Sequence, residues 1–273
     1  MSRLKAHFEA LEAKGLKALI PYITAGDPNL DATLKLMHAL VESGADAIEI
    51  GIPFSDPMAD GPVIQKACER ALASGTSLKK ILAMISEFRK DDTSTPLVLM
   101  GYLNPLEAMG FQVFTDAAAK AGVDGVLTVD LPPEEAGRLA PMLQAADLDP
   151  IFLIAPTTQT ARIRTAANNG GGYIYYVSLN GVTGSSKLDV ESVRTHVEAI
   201  RKESALPVCV GFGIKDAVSA RQVAAVSDGV IVGSALVNII AEHAEQPEQM
   251  IEQVKGLMTS IRQALDDLSA QNR

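Results

Sequence analysis

Eight short apolar runs, each followed by a stretch of helical periodicity, leave this chain a narrow set of folds. The runs are 18–24 (ALIPYIT), 47–52 (AIEIGI), 96–100 (PLVLM), 125–129 (GVLTV), 151–154 (IFLI), 173–178 (YIYYVS), 207–210 (PVCV) and 229–232 (GVIV). Strands this continuously apolar are buried on both faces, as parallel strands covered by helices are. A phrase also recurs: Gly44-Ala45-Asp46-Ala47-Ile48, Gly122-Val123-Asp124-Gly125-Val126 and Ser227-Asp228-Gly229-Val230. Each reads as a helix end turning into a strand. Eight strand–helix units predict a (β/α)8 barrel, with an open doubly wound sheet as the alternative. No G-x-G-x-x-G follows the first run, which disfavours the dinucleotide-binding version of the open sheet.

The helical pattern exceeds eight repeats. Leu4, Phe8 and Leu11 before Gly15 predict an extra N-terminal helix. Two helical stretches, from Pro62 and over 78–88, follow the second strand, and residues 234–270, broken near Pro247, supply extra helix after the eighth. One helix is expected over 105–120, and Pro132-Pro133-Glu134 is expected to open the next. No Pro/Gly/Ser-rich linker interrupts the alternation, so residues 1–273 are read as one barrel domain.

The net charge of −9 argues against nucleic acid or an anionic membrane as a partner, although backbone N–H groups can still bind a small anion locally. Cys68 and Cys209 lack metal or redox spacing and read as packing residues of a reducing cytoplasm. The N-terminus has no signal-peptide core, and no apolar run approaches the ~20 residues of a membrane span.

In a (β/α)8 barrel the chemistry gathers at the C-terminal ends of the strands. Glu49, Asp60, Asn104 and Asp130 all fall at or just after strand ends. In the run 47–52, alternation puts Ile48, Ile50 and Ile52 on one face and Ala47, Glu49 and Gly51 on the other. A carboxylate among such neighbours is costly to desolvate unless it is partnered or functional. Glu49 and Asp60, facing one pocket, are therefore read as the acids that do the chemistry. Two structural readings compete: an ion pair with an arginine for Glu49, and an N-cap before Pro62 for Asp60. The four histidines all fall in helical stretches, no lysine lies within a strand, although Lys187 and Lys215 in post-strand loops keep a Schiff-base reading open, and no Ser or Cys sits in a nucleophile elbow. Carboxylate acid–base catalysis without metal or cofactor remains.

Gly211-Phe212-Gly213 follows the seventh strand, and Gly233-Ser234 follows the eighth with Ser234 as a helix cap. Barrel enzymes hold phosphate on such turns, and Gly184 could add a third N–H. Turn geometry alone would also call for these glycines. Tyr22, Met100, Leu127 and Tyr175, near strand ends, taken singly read as core.

The stretch IEIGIPFSDPMADGPVIQ, the loop Gly181-Val182-Thr183-Gly184, Val210-Gly211-Phe212-Gly213-Ile214 and the run DGVIVGSA at 228–235 resemble the tryptophan synthase alpha subunit, and the likeness covers essentially the whole chain. The resemblance implies a barrel fold and the retro-aldol cleavage of indole-3-glycerol phosphate to indole and glyceraldehyde 3-phosphate. It makes Glu49 the acid that protonates indole C3 and can take up the glycerol hydroxyl proton, and makes Asp60 the partner of the indole N–H. It assigns Thr183, in a mobile loop from Leu179 to about Val193, a contact to Asp60. Phosphate would fall to Gly184, Gly213, Gly233 and Ser234, and Tyr22, Met100, Leu127, Tyr175, Phe212 and Ile231 would wall the indole. Tyr22 and Met100 stand where the family often has Phe and Leu. The resemblance also implies a beta subunit in an alpha2beta2 heterotetramer, with pyridoxal phosphate in that partner and no cofactor in this chain. Pro53, Asp56, Pro57, Met58, Asn104 and Pro132 would face it. Another phosphosugar barrel enzyme, or a non-catalytic module that activates a partner, are the competing functions.

Overall fold

The computed structural model describes residues 2–178, 189–211 and 213–271. Its strands are β1 (Ala18–Thr24), β2 (Ile48–Gly51), β3 (Leu97–Gly101), β4 (Gly125–Thr128), β5 (Asp149–Ile151), β6 (Leu153–Ile154), β7 (Ile174–Val177), β8 (Val208–Gly211) and β9 (Gly229–Val232). All pair in parallel, in the order β5-β4-β3-β2-β1-β9-β8-β7-β6. The two ends of that order, β5 and β6, are consecutive in the chain and separated by Phe152 alone. The sheet therefore returns on itself, and the architecture is a (β/α)8 barrel whose fifth strand is split. Alternation survives the split. Ile151 and Leu153 belong to the barrel interior, whereas Phe152 and Ile154 pack outward against helices.

Two apolar layers hold the barrel. Inside lie Ala47, Val98, Leu127, Ile151, Tyr173, Cys209 and Ile231, closed at the bottom by Leu4, Phe8 and Leu11 of α1 (Arg3–Ala13). Outside, Ile48, Ile50 and Ile52 join the larger core beneath the helices. The alternation expected around Glu49 is thus observed. Both cysteines are buried.

The helical excess is also as expected at most positions. After β2 come α2's successors α3 (Pro62–Ala73) and α4 (Leu78–Phe88), α2 itself spanning Leu30–Glu42 between β1 and β2. Two expectations need correction. The single helix over 105–120 is two, α5 (Leu103–Met109) and α6 (Phe111–Ala121), meeting at Gly110, whose φ of +88° an L side chain rarely adopts. Pro132-Pro133-Glu134 does not open a helix: residues 134–139 wind in turns and α7 spans only Ala140–Ala145. Gly137, a poor helix former, sits within those turns. The remaining helices are α8 (Thr160–Asn169), α9 (Val190–Arg201), α10 (Ala217–Ala224), α11 (Ser234–Glu242) and α12 (Pro247–Gln271).

The recurring aspartate phrase has a structural cause. At the bottom of the barrel Oδ2 of Asp46, Asp124 and Asp228 accepts the N–H of Leu19 (2.8 Å), Leu97 (2.9 Å) and Val208 (2.9 Å) respectively, tying the start of one strand to its neighbour. Each aspartate also meets an arginine: Arg262, Arg89 and Arg201. Arg89 and Asp124 are the most buried of these pairs, and burial pulls the Arg89 pKa down to about 10. Asp124→Asn keeps the shape but leaves Arg89 without its full counter-charge. It is expected to lower the unfolding free energy by about 2 kcal/mol, seen as a lower urea midpoint at unchanged slope.

Candidate active site

A cavity of about 770 Å³ opens at the C-terminal ends of the strands. Its wall includes Tyr22, Asp60, Met100, Tyr175, Gly213, Ile231, Gly233 and Ser234, so these residues, singled out from the sequence, converge on one space. Asp130, Pro132, Arg162, Lys215 and Asn238 line it as well. Thr183, Gly184 and Phe212 lie outside the described residues.

Two expected members are not on that wall. Leu127 is 1% exposed and belongs to the interior core below. Glu49 is fully buried and also absent from the lining, so the two acids do not face one pocket in this state. Glu49 stands in register with Tyr22 and Val98, two residues before Gly51, which pairs with Met100. The reason for its retreat is Tyr173, whose hydroxyl donates to Glu49 Oε1 at 2.5 Å. Tyr173 lies one inward-facing position below Tyr175, and its ring is 5.7 Å from that of Phe8 on α1. The carboxyl is thus held one layer under the cavity floor. Among the described residues no arginine pairs with it, which disfavours the ion-pair reading, and Oε2 has no hydrogen-bond partner. Burial raises the Glu49 pKa to about 8 against the opposing pull of the Tyr173 hydrogen bond. Near neutral pH the group is therefore a protonated carboxylic acid, able to give a proton.

Asp60 differs. It is half-buried on the cavity wall, and the Tyr102 hydroxyl donates to its Oδ2 at 2.9 Å. The N-cap of α3 is Gly61, with Pro62 in the first turn and no side-chain cap, so the capping role for Asp60 does not apply. Burial raises its pKa, and the Tyr102 hydrogen bond offsets part of that rise. Tyr175 is in electrostatic reach of both Glu49 and Asp60. The extra hydroxyl of Tyr22 points over Gly51 to Thr24 Oγ1 (3.3 Å), where any Cβ on residue 51 would collide with it.

On the same cavity Gly213 takes φ +79° and Gly233 occupies the N-cap of α11. Ser234 is the first helical residue rather than the cap. These turns and the helix start line the same cavity as Asp60 and Lys215. The cavity thus offers a carboxylate and a helix N-terminus on one wall, which suits a ligand with a polar ring N–H and an anionic tail.

On the surface expected to face a partner, Asp56, Met58 and Asn104 are exposed, with Met58 at 85%. Pro57 is half-buried, Pro132 is half-buried on the cavity wall, and Pro53 is buried. Pro53 continues from Ile52, which is packed into the outer core. Sequence reasoning missed Tyr173 and Tyr102. Tyr173 directly precedes β7 and Tyr102 directly follows β3, where a tyrosine reads as core, and only the hydroxyl's partner distinguishes it.

A family model described as "Tryptophan synthase alpha chain" matches residues 8–266. The tryptophan synthase alpha chain of Marinobacter nauticus is 58% identical over 269 residues, covering 98% of this chain and 100% of that protein. The chain belongs to the tryptophan synthase alpha chain family. Tryptophan synthase subunit alpha from Legionella pneumophila str. Paris superposes with a TM-score of 0.92 at 47% identity, over 98% of this chain and 99% of that one. A ligand-free tryptophan synthase from M. tuberculosis matches with a TM-score of 0.86 at 33% identity, over 97% of this chain and 99% of that one. The chain is a lyase of tryptophan biosynthesis, and the family reaction is the cleavage of indole-3-glycerol phosphate. The family's partner is the beta subunit. No helix among the described residues is long and apolar enough to cross a membrane.

Proposed function

We propose that this member of the tryptophan synthase alpha family cleaves indole-3-glycerol phosphate by acid–base catalysis shared between Glu49 and Asp60. The carrying observation is a fully buried Glu49, its pKa raised by burial to about 8, in register with Tyr22, which lines one cavity with Asp60. Breaking the bond that joins the indole ring to its glycerol arm needs an electron sink. Protonation of indole C3 by Glu49 makes the ring that sink, since positive charge then resides at the ring nitrogen. Asp60 accepts the N–H and stabilises that charge as it builds, a placement of most value in the transition state. Loss of the hydroxyl proton forms the aldehyde as the carbon–carbon bond breaks and its electrons return to the ring. That proton passes back to Glu49, so the acid is restored and the step is redox-neutral.

To act, the Glu49 carboxyl must leave Tyr173 and turn up one layer into the cavity. The phosphate is held by Gly213, Gly233 and Ser234, joined by Gly184. Tyr22, Met100, Tyr175, Phe212 and Ile231 wall the indole ring, with Leu127 supporting them from below. Thr183 contacts Asp60 when the substrate is enclosed. Asp56, Pro57, Met58 and Asn104 face the beta subunit in an alpha2beta2 heterotetramer of the cytoplasm, which receives the indole. Pyridoxal phosphate belongs to that partner, and this chain uses no cofactor of its own. Incubation with indole-3-glycerol phosphate, with and without a beta subunit, should release indole and glyceraldehyde 3-phosphate in equal amounts. A phosphosugar isomerase would leave the indole compound intact, and a non-catalytic activator would release nothing even in the complex.

A further inference from the structure

Tyr102 directly follows the last residue of β3 and is 3% exposed. Its hydroxyl joins two hydrogen bonds, accepting the Ala59 N–H at 3.0 Å and donating to Asp60 Oδ2 at 2.9 Å. Its ring lies against Phe54, with centroids 5.4 Å apart. One phenol on the rigid barrel therefore meets both ends of the 54–60 loop, whose middle is exposed at Met58. We propose that Tyr102 is a positioning residue that fixes the Asp60 carboxylate and ties the 54–60 loop to it, so that movement of that loop is felt at Asp60. The inference rests on the role given to Asp60 above and adds the residue that holds it.

A carboxylate on a loop keeps its geometry only if a supporting group on a stiff element holds it. Tyr102 also donates to the charged form of Asp60, opposing the effect of burial. Among the described residues, Cys68 on α3, Tyr22 on β1 and Tyr175 on β7 are in electrostatic reach of Asp60. Burial keeps each of these neutral; Arg162 and Lys215 line the same cavity, and the Tyr102 hydroxyl is the hydrogen bond that favours the anion.

The test is the pH profile of indole release by the whole protein with its beta subunit. Tyr102→Phe is expected to lower kcat roughly 10- to 100-fold, with a smaller change in KM, and to move the acidic limb to higher pH. Replacing Tyr102 by 3-fluorotyrosine, a stronger donor, should move that limb to lower pH, and it decides the matter should the Phe variant fold poorly. Added to Asp60→Asn, the Phe substitution should cost less than about twofold, because the group it serves is already changed. An acidic limb that stays at its wild-type position in both variants overturns the proposal, as does a full additional loss on the Asp60→Asn background. A wild-type protein that releases no indole would instead contradict the role of Asp60. Tyr102 is then judged on the Asp60 carboxyl titration followed by NMR, which Tyr102→Phe must raise.

Discussion

Glu49→Gln is expected to reduce indole release by about 10³-fold or more while leaving the barrel folded. Glutamine matches the shape of the protonated carboxyl, and its carbonyl can accept the Tyr173 hydroxyl as Glu49 Oε1 does now. It has no proton to give to C3 and no site to receive one from the substrate hydroxyl. Binding should change little, because the lost interaction is made during proton transfer, so the fall appears in kcat and kcat/KM together. Stability supplies an independent sign. The folded-state pKa of Glu49, about 8, lies above the ordinary value of 4.5. Below the ordinary value both folded and unfolded states hold the proton, and the buried carboxyl carries no ionisation cost. Between the two values the folded state retains a proton the unfolded state releases, so stability falls as pH rises through that window. Glutamine does not titrate, so the variant should gain stability relative to wild type as pH rises toward 8, read from urea midpoints at several pH values.

Asp60→Asn should cost roughly 10²–10³-fold in kcat with a modest change in KM. The amide oxygen can still accept the indole N–H, but it cannot balance the positive charge that grows on the ring after C3 protonation. The ionised form of Asp60 is the working one, and burial raises its pKa, so wild-type activity should decline as pH falls through that raised value. Glu49 must be protonated, so activity should also decline as pH rises past about 8. The two limbs give a bell-shaped profile. Asp60→Asn removes the acidic limb and leaves the basic one, whereas a purely structural aspartate would leave both.

Much of this was legible in the sequence because it follows from short-range pattern. Period-two alternation put Glu49 on the interior face and its isoleucine neighbours outside, and the fold obeys it. The aspartate phrase marked helix-to-strand junctions, and those junctions are where Asp46, Asp124 and Asp228 tie adjacent strands. What escaped depends on contacts between distant residues or on side-chain depth. Glu49 meets Tyr173 across 124 positions, and no local pattern reports such a pairing. Asp60 followed by Gly-Pro reads equally as a helix cap or a free acid, and only the Tyr102 hydrogen bond distinguishes them. Leu127 and Pro53 sit at strand ends like their cavity-lining or surface neighbours, yet both are buried, because position along a strand does not set how far a side chain reaches. The break at Phe152 is likewise a matter of barrel closure, not of the residues 151–154 themselves, which alternate without interruption.

The most direct test of a proton-bearing Glu49 is the titration of its own carboxyl carbon by ¹³C NMR in the folded protein, assigned by the signal that Glu49→Gln removes. A midpoint near pH 8 is the predicted result. A midpoint near the ordinary 4.5 would leave Glu49 ionised at neutral pH and contradict its role as the acid that protonates the indole ring.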